Sequence, residues 1–341
     1  CVCVCCVCVC VCVCDGLELL DNLLTFIGVN SYLPTVLRMP RLPRLTSIFQ
    51  AMMLGTIMVC LMMLHSIQLD PVSEDECGCL ECMPKREEDP WFLQRYKRQI
   101  PVLLSSQNSN LSKNTSDCEV VEILFSLFPD GEQYQDAGPD RCRTCAVVGN
   151  SGNLEGSRYG PLIDAHDFVI RMNKGPTKGY EKDVGSKTTH RAVYPESAVD
   201  MDNSTHLLLV PFKILDLQWL ISIFTTKHIT RTYTAVKTSL KADMDKVMVL
   251  HPDFMRYVYE SWLNKEGKYP STGFLMLVLS LHVCDQVSVF GFGAKEDGRW
   301  HHYYDKRYAV FQSKGNHRGS LEYNITQKLY EKKWLQFYKG T

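Results

Sequence analysis

Residues 146–156 read AVVGNSGNLEG: an apolar run that ends abruptly in Gly149-Asn150-Ser151-Gly152. Such a strand-to-loop turn exposes backbone N–H groups and suits a nucleotide phosphate. It is not a G-x-G-x-x-G fingerprint. A nicotinamide site would also want an acidic residue closing the next apolar strand, where this chain has Arg171-Met172-Asn173. Working outward, further short apolar runs predict strands at Cys145–Gly149, Phe168–Met172, Arg191–Tyr194, Leu207–Val210, Val247–Leu250 and Val287–Phe290. Longer periodic runs predict helices at Leu217–Phe224, Asp253–Asn264, Thr272–Val283 and Gly319–Lys332. A capping-box pattern at Ser116-Asp117-Cys118-Glu119 opens another, through Leu127. Strands alternating with helices imply an α/β fold with a largely parallel central sheet and helices on both faces. Ligands of such sheets bind at the carboxyl ends of the strands.

The 341 residues carry a net charge of -1, so no basic excess points to nucleic acid and no acidic excess to a disordered tail. Eight of the 16 cysteines fall in the opening CVCVCCVCVCVCVC, a Cys-Val alternation of the kind a translated dinucleotide repeat produces. Residues 1–38 are therefore read as a mispredicted extension and set aside, with Met39 as the expected native start. IFQAMMLGTIMVCLMML (48–64) is uncharged, and His65-Ser66-Ile67 can lengthen it to a bilayer span. Arg38, Arg41 and Arg44 precede it, while Asp70, Glu74, Asp75 and Glu76 follow. The positive-inside rule then gives a cytoplasmic tail at 39–47, a retained signal anchor at 48–67 and everything downstream across the membrane. A cleaved signal peptide is the rival reading. Polar residues 68–116 read as a stem, and 117–341 as the folded domain.

Sequons at Asn110, Asn114, Asn203 and Asn324 agree with a lumenal domain. The C-x-C-x2-C cluster Cys77, Cys79 and Cys82, with the C-x2-C pair Cys142 and Cys145, would suggest zinc in a reducing compartment; in an oxidising lumen disulfides are the better reading.

Three further motifs carry chemistry. Tyr269-Pro270-Ser271-Thr272-Gly273 opens an apolar helix, whose capped N-terminus favours an anion, although ordinary capping of a core helix accounts for these residues alone. Trp300-His301-His302-Tyr303-Tyr304-Asp305 sets two histidines among aromatics, and His317 precedes Glu322 by five residues. Asp200-Met201-Asp202 and Asp243-Met244-Asp245 match the D-x-D pattern of metal-dependent glycosyl transfer, but the pattern is short, and both are read as solvated loop charge.

Together these segments resemble the eukaryotic sialyltransferases, glycosyltransferase family 29. Residues 142–197 look like the large sialylmotif, 269–293 like the small one, HHYYD (301–305) like the third, and His317 to Glu322 like the very small H-x4-E motif, all in the family's order. Within the family the chain is most similar to the β-galactoside α-2,3 group acting on Galβ1-3GalNAc. The resemblance covers residues 77–341 and implies a Rossmann-like, GT-A-type variant that works without a metal or other cofactor. It also implies a single-pass type II protein of the Golgi membrane.

By the same resemblance, Asn150, Asn173, Ser271, Thr272, Gly273 and Gly293 bind the donor, CMP-sialic acid. Tyr194, Tyr233 and Tyr269 line the cleft between donor and galactose-terminated acceptor, with Tyr233 and Tyr269 on the acceptor side. His302 contacts the donor phosphate and His317 is the base. Cys145 pairs with Cys284, Cys79 with Cys142 and Cys77 with Cys82, whereas Cys118 has no counterpart. Two departures stand out. Between Gln107 and Cys118 the chain lacks an acceptor-side segment that the α-2,3 group carries. Residues 318–321 also replace acidic and aromatic residues found in relatives. They keep open a second class, a lumenal CMP- or glycan-binding homologue of low activity. A membrane-anchored oxidoreductase would need the acidic ribose contact that is missing.

Overall fold

The computed structural model describes residues 89–109, 115–130, 142–294, 299–310 and 317–341, together with the backbone of 2–6 and 9–13. The expected span at 48–67, Cys77, Cys79, Cys82, Asn110 and Asn114 lie outside the described residues. Among the described residues no helix is long and apolar enough to cross a membrane. The Cys-Val run forms an antiparallel hairpin, β1 (Val2–Cys6) and β2 (Val9–Val13), in a unit of its own spanning 1–71. Strict alternation matches the two-residue period of a strand.

The second unit contains a seven-stranded parallel sheet in the order β11-β8-β3-β4-β5-β6-β7. These strands are β3 (Thr144–Val148), β4 (Phe168–Met172), β5 (His190–Val193), β6 (His206–Leu209), β7 (Val247–Val249), β8 (Gln286–Phe290) and β11 (Gln336–Tyr338). Each predicted strand is present within a residue at either end. Their near-continuous apolar runs are what a sheet buried on both faces requires. Cys145, Val147, Leu208 and Val289 face one cluster, and their neighbours Ala146, Val148, Leu207 and Leu209 face the other side.

On the first face lie α6 (Pro252–Tyr257), α7 (Thr272–Val283) and α8 (Gly319–Glu331). Helix α7 is buried nearly all round, from Thr272 to Leu281, because it crosses the middle of the sheet. The other face is covered by α2 (Thr115–Leu127) and α5 (Ile214–Phe224), with the short α3 (Gly160–Asp164) and α4 (Glu181–Val184) toward β3 and β4. The Cys145–Cys284 disulfide links the start of β3 to the end of α7. Cys142 is also disulfide-bonded, and Cys118 on α2 is exposed.

Several expectations need correction. The helix expected at Asp253–Asn264 stops being α-helical at Tyr257 and continues as a π turn over Val258–Trp262. Asn264 and Lys265 then turn left-handed, with φ of 51° and 63°. Ser116 lies inside the first turn of α2 rather than capping it. Residues 89–109, assigned to the stem, belong to the core: Phe92 of α1 (Pro90–Leu93) is fully buried and stacks on Trp334 with ring centroids 3.6 Å apart. An antiparallel hairpin, β9 (Arg299–His302) and β10 (Asp305–Val310), was not anticipated.

Candidate active site

From β3 the chain steps outward through β4, β5, β6 and β7, then returns to add β8 and β11 on the other side of β3. The order reverses between β3 and β8, so a crevice opens at the carboxyl ends of those two strands. The loop Gly149–Gly152 leaves β3 at this point, beside Gly291–Gly293 leaving β8. Gly149 N donates to Phe290 O (2.7 Å) and Ser151 N to Gly291 O (3.1 Å). A Cβ at Gly149 would stand 2.3 Å from Gly291 O, which is why the apolar run ends in glycine.

Asn150 is half-buried and donates through Nδ2 to Met172 O at 3.1 Å, joining this loop to the end of β4. Asn173 follows in the left-handed region at φ 55°, a conformation asparagine tolerates better than most residues. Beneath it, buried Arg191 donates to the carbonyls of Asn173 (2.9 Å) and Gly175 (3.2 Å). The buried Asn173 Oδ1 has no hydrogen-bond partner among the described residues. An orphaned polar atom at a strand's carboxyl end marks a place where a ligand group is expected.

The N-terminus of α7 enters the same crevice. A Cβ on Gly273 would meet Phe292 Cζ at 3.3 Å and Met172 Cε at 3.7 Å. Ser271 is the N-cap, its Oγ accepting from Phe274 N (3.1 Å). Its own N–H and O–H both donate to Glu322, at 2.8 and 2.6 Å. The Ser271 hydroxyl proton is thereby committed, so the first-turn amides of α7 are what this helix end offers an anion. Burial raises the Glu322 carboxyl above the usual glutamate range, although the Ser271 hydrogen bonds and the His317 charge pull it down.

The hairpin β9–β10 closes the crevice. Ser151 bridges to His302, and Tyr303 N donates to Asn150 O at 3.0 Å. Tyr303 O–H donates to Pro176 O at 2.7 Å. His302 is half-buried between Trp300 and Tyr304, whose ring it stacks on at 4.9 Å. Burial holds its pKa below the ordinary histidine value, and Asp305 opposes that. Gly293 takes φ 86° and packs against Tyr323, where a Cβ would be 2.5 Å from Cε2. Its carbonyl accepts from Ser151 Oγ at 2.7 Å.

His317 lies at the mouth, exposed, just before α8. Its Nδ1 is 3.1 Å from Tyr269 O, and the rings meet edge to face at 4.7 Å. A carbonyl only accepts, so Nδ1 carries the proton and the neutral ring keeps its lone pair on Nε2. From Tyr269 the aromatic wall continues through Phe212 (5.2 Å) to Tyr194 (6.1 Å). Tyr233 is 63% exposed and meets this wall through Lys213, whose Nζ sits 3.3 Å from its ring centre.

Of the expected site residues, the structure therefore brings Asn150, Asn173, Ser271, Thr272, Gly273, Gly293 and His302 to one crevice. It puts His317, Tyr269, Tyr194 and Tyr233 along its rim. Glu322, Arg191 and Ser151, which hold these groups in place, were not singled out for a role; only the five-residue spacing from His317 hinted at Glu322. Asn203 and Asn324 are exposed. The D-x-D carboxylates are used locally: Asp202 accepts from Ser204 N (2.9 Å), Asp200 pairs with Lys237 (2.8 Å) and Asp243 caps a 3-10 turn.

The sheet order defines a Rossmann-like α/β protein with its candidate site at the switch point. The profile of glycosyltransferase family 29 (sialyltransferase) matches residues 88–334, and the chain belongs to that family. It is 42% identical over 283 residues to CMP-N-acetylneuraminate-beta-galactosamide-alpha-2,3-sialyltransferase 1 of Gallus gallus, covering 77% of this chain and 82% of that one. It is likewise 42% identical to sialyltransferase 2 of the same description from Mus musculus, covering 77% and 80%. A crystal structure of a mammalian sialyltransferase in complex with Gal-beta-1-3GalNAc-ortho-nitrophenol matches with a TM-score of 0.72 and 40% identity, covering 78% of this chain and all of that one.

Proposed function

We propose that this protein transfers sialic acid from CMP-sialic acid to the 3-hydroxyl of the terminal galactose of Galβ1-3GalNAc-type glycans, forming an α-2,3 linkage with inversion. The relatives' names and the matched complex support the donor and acceptor. The observation that carries the chemistry is the His317 geometry: Nδ1 is spent on the Tyr269 carbonyl, which leaves Nε2 of an exposed ring as the basic nitrogen.

Nε2 takes the proton of the galactose hydroxyl as its oxygen attacks C2 of the sialyl group. The C2–O bond to CMP breaks with its electron pair passing to the phosphate. Asn150 and Asn173 hold the nucleotide side, and the α7 amides with His302 face the departing charge. Burial disfavours the charged form of His302, and an arriving anion favours it. A departing monophosphate develops less charge than a diphosphate, and the reading includes no metal or other cofactor. It also places the protein as a single-pass type II chain in the Golgi membrane with the crevice lumenal.

The test is transfer from CMP-sialic acid to a Galβ1-3GalNAc acceptor in EDTA, beside His317→Ala. The rate is expected to survive EDTA and to fall by roughly 10²–10⁴ in the variant. A folded chain that binds CMP but transfers nothing would refute the activity.

A further inference from the structure

We infer that Glu196 is a positioning residue for the acceptor, fixing the loop that carries Tyr233; this rests on the transfer reading above. Residues 230–236, between α5 and β7, form a tight excursion closed by Val236 N to Thr230 O (3.0 Å), Thr232 N to Thr234 O (3.0 Å) and an Arg231–Ala235 bridge. At its tip Tyr233 is one of the most exposed large side chains described. One carboxylate oxygen hydrogen-bonds this tip to the turn after β5. Glu196 Oε1 accepts both the Thr232 hydroxyl and Tyr233 N, the latter at 2.8 Å.

Glu196 is itself well placed as an anchor. It sits in the 3-10 turn Pro195–Ser197 that follows β5, immediately after the cleft residue Tyr194. That turn is locked by Ser197 Oγ, which receives Tyr194 N (3.1 Å) and donates to Tyr194 O (3.0 Å). The two loop hydrogen bonds and the Lys213 charge help hold the Glu196 carboxyl below the usual glutamate range, against its burial. Lys213 Nζ lies on one face of the Tyr233 ring and is held there by Asp216 at 2.8 Å. A cation lies on one ring face, and the side chain is 63% exposed, so the ring can receive the apolar C–H face of a sugar. Next in sequence to Lys213, Phe212 leads through Tyr269 to His317. Tyr233 therefore stands on the same wall as the base, at the far end from it. Glu196 sets the register of that wall, so that a sugar resting on Tyr233 presents its hydroxyl to Nε2.

Three measurements on the full chain test this: acceptor KM and donor KM in the transfer assay, and direct titration with the Galβ1-3GalNAc disaccharide. Glu196→Ala is expected to raise acceptor KM and the disaccharide Kd by about tenfold, with donor KM within about twofold of the parent. Glu196→Gln keeps Oε1 and should recover most of the loss. Thr232→Val removes one of the two bonds and should give a smaller effect in the same direction, which covers the case of a poorly folding Glu196→Ala. Unchanged acceptor KM in Glu196→Ala and Thr232→Val, or an equal rise in donor KM, overturns the assignment. An inactive parent chain that still binds the disaccharide with the Glu196 dependence overturns the transfer reading instead.

Discussion

His190 stands at the start of β5, sandwiched between Phe168 (ring centroids 4.5 Å apart) and His206 at the start of β6 (4.7 Å, nearly parallel). It is 2% exposed. Burial, and then the nearby charges of His206 and Arg143, push its pKa down to about 3. In the unfolded chain a histidine titrates near 6.5. Between these values the unfolded state binds a proton that the folded state refuses, so this residue's share of stability is intact above pH 6.5 and drains away as the pH falls. At pH 5 the deficit is about 1.5 units of 1.36 kcal/mol, or roughly 2 kcal/mol, and for a domain of this size each kcal/mol moves Tm by about 2–4 °C. His190→Gln is uncharged at every pH and removes the linkage. Melting both proteins at pH 7.5 and pH 5.0 isolates it, because every other titrating group, His206 included, is common to the two. The parent is expected to lose about 4–8 °C more than the variant on acidification. Parallel losses would show that His190 takes up its proton without resistance and is not a source of acid sensitivity.

Two further outcomes are expected. Phe92→Ala should destabilise the protein by about 3–5 kcal/mol in urea unfolding, because the ring is buried against Trp334 and Trp262; a change under 1 kcal/mol would return residues 89–109 to the stem. Gly340 takes φ 81° with a Cβ position only 2.0 Å from Asn153 O, so Gly340→Val should shift the loop after β3 and weaken CMP binding by about tenfold in calorimetry. Lys339→Ala, its neighbour, should bind CMP like the parent.

The sheet was legible because a parallel strand buried on both faces leaves one kind of trace, a short apolar run. Such runs stand out between polar loops. The edge strand β11 was not, since Gln336–Tyr338 is three residues long and carries no periodicity. The hairpin β9–β10 was missed for another reason: its turn is made by Tyr303 and Tyr304, without the Gly or Asn that advertises a tight turn. Phe92 shows the reverse error. Charged neighbours made its segment look like a tether, but buried Phe92, Tyr96, Val102 and Leu103, with an Asp89 cap that receives Trp91 N and Phe92 N, dock it. The π turn at Val258–Trp262 has the same apolar spacing as a helix, and only the backbone tells them apart.

The site divides in the same way. The loop after β3 could be read from bare residues, because a strand ending in Gly149-Asn150-Ser151-Gly152 has a physical meaning anywhere. His302 and His317 could not, because their meaning depends on what the sheet order brings beside them. The spacing from His317 to Glu322 also has a physical reason once α7 and α8 are in place. His317 precedes α8 and Glu322 lies in its first turn, so the two side chains reach back to neighbouring points on one segment: the Tyr269 carbonyl and the Ser271 N–H and O–H. Two residues on α7's approach thus receive two residues at α8's start. His317 and the N-terminus of α7, to which the proposed mechanism gives the base and the leaving phosphate, are set by one contact rather than by two loops. The four residues between His317 and Glu322 make no part of that contact, which is why this chain can carry Arg318-Gly319-Ser320-Leu321 there and still bring the histidine and the carboxylate to the same place.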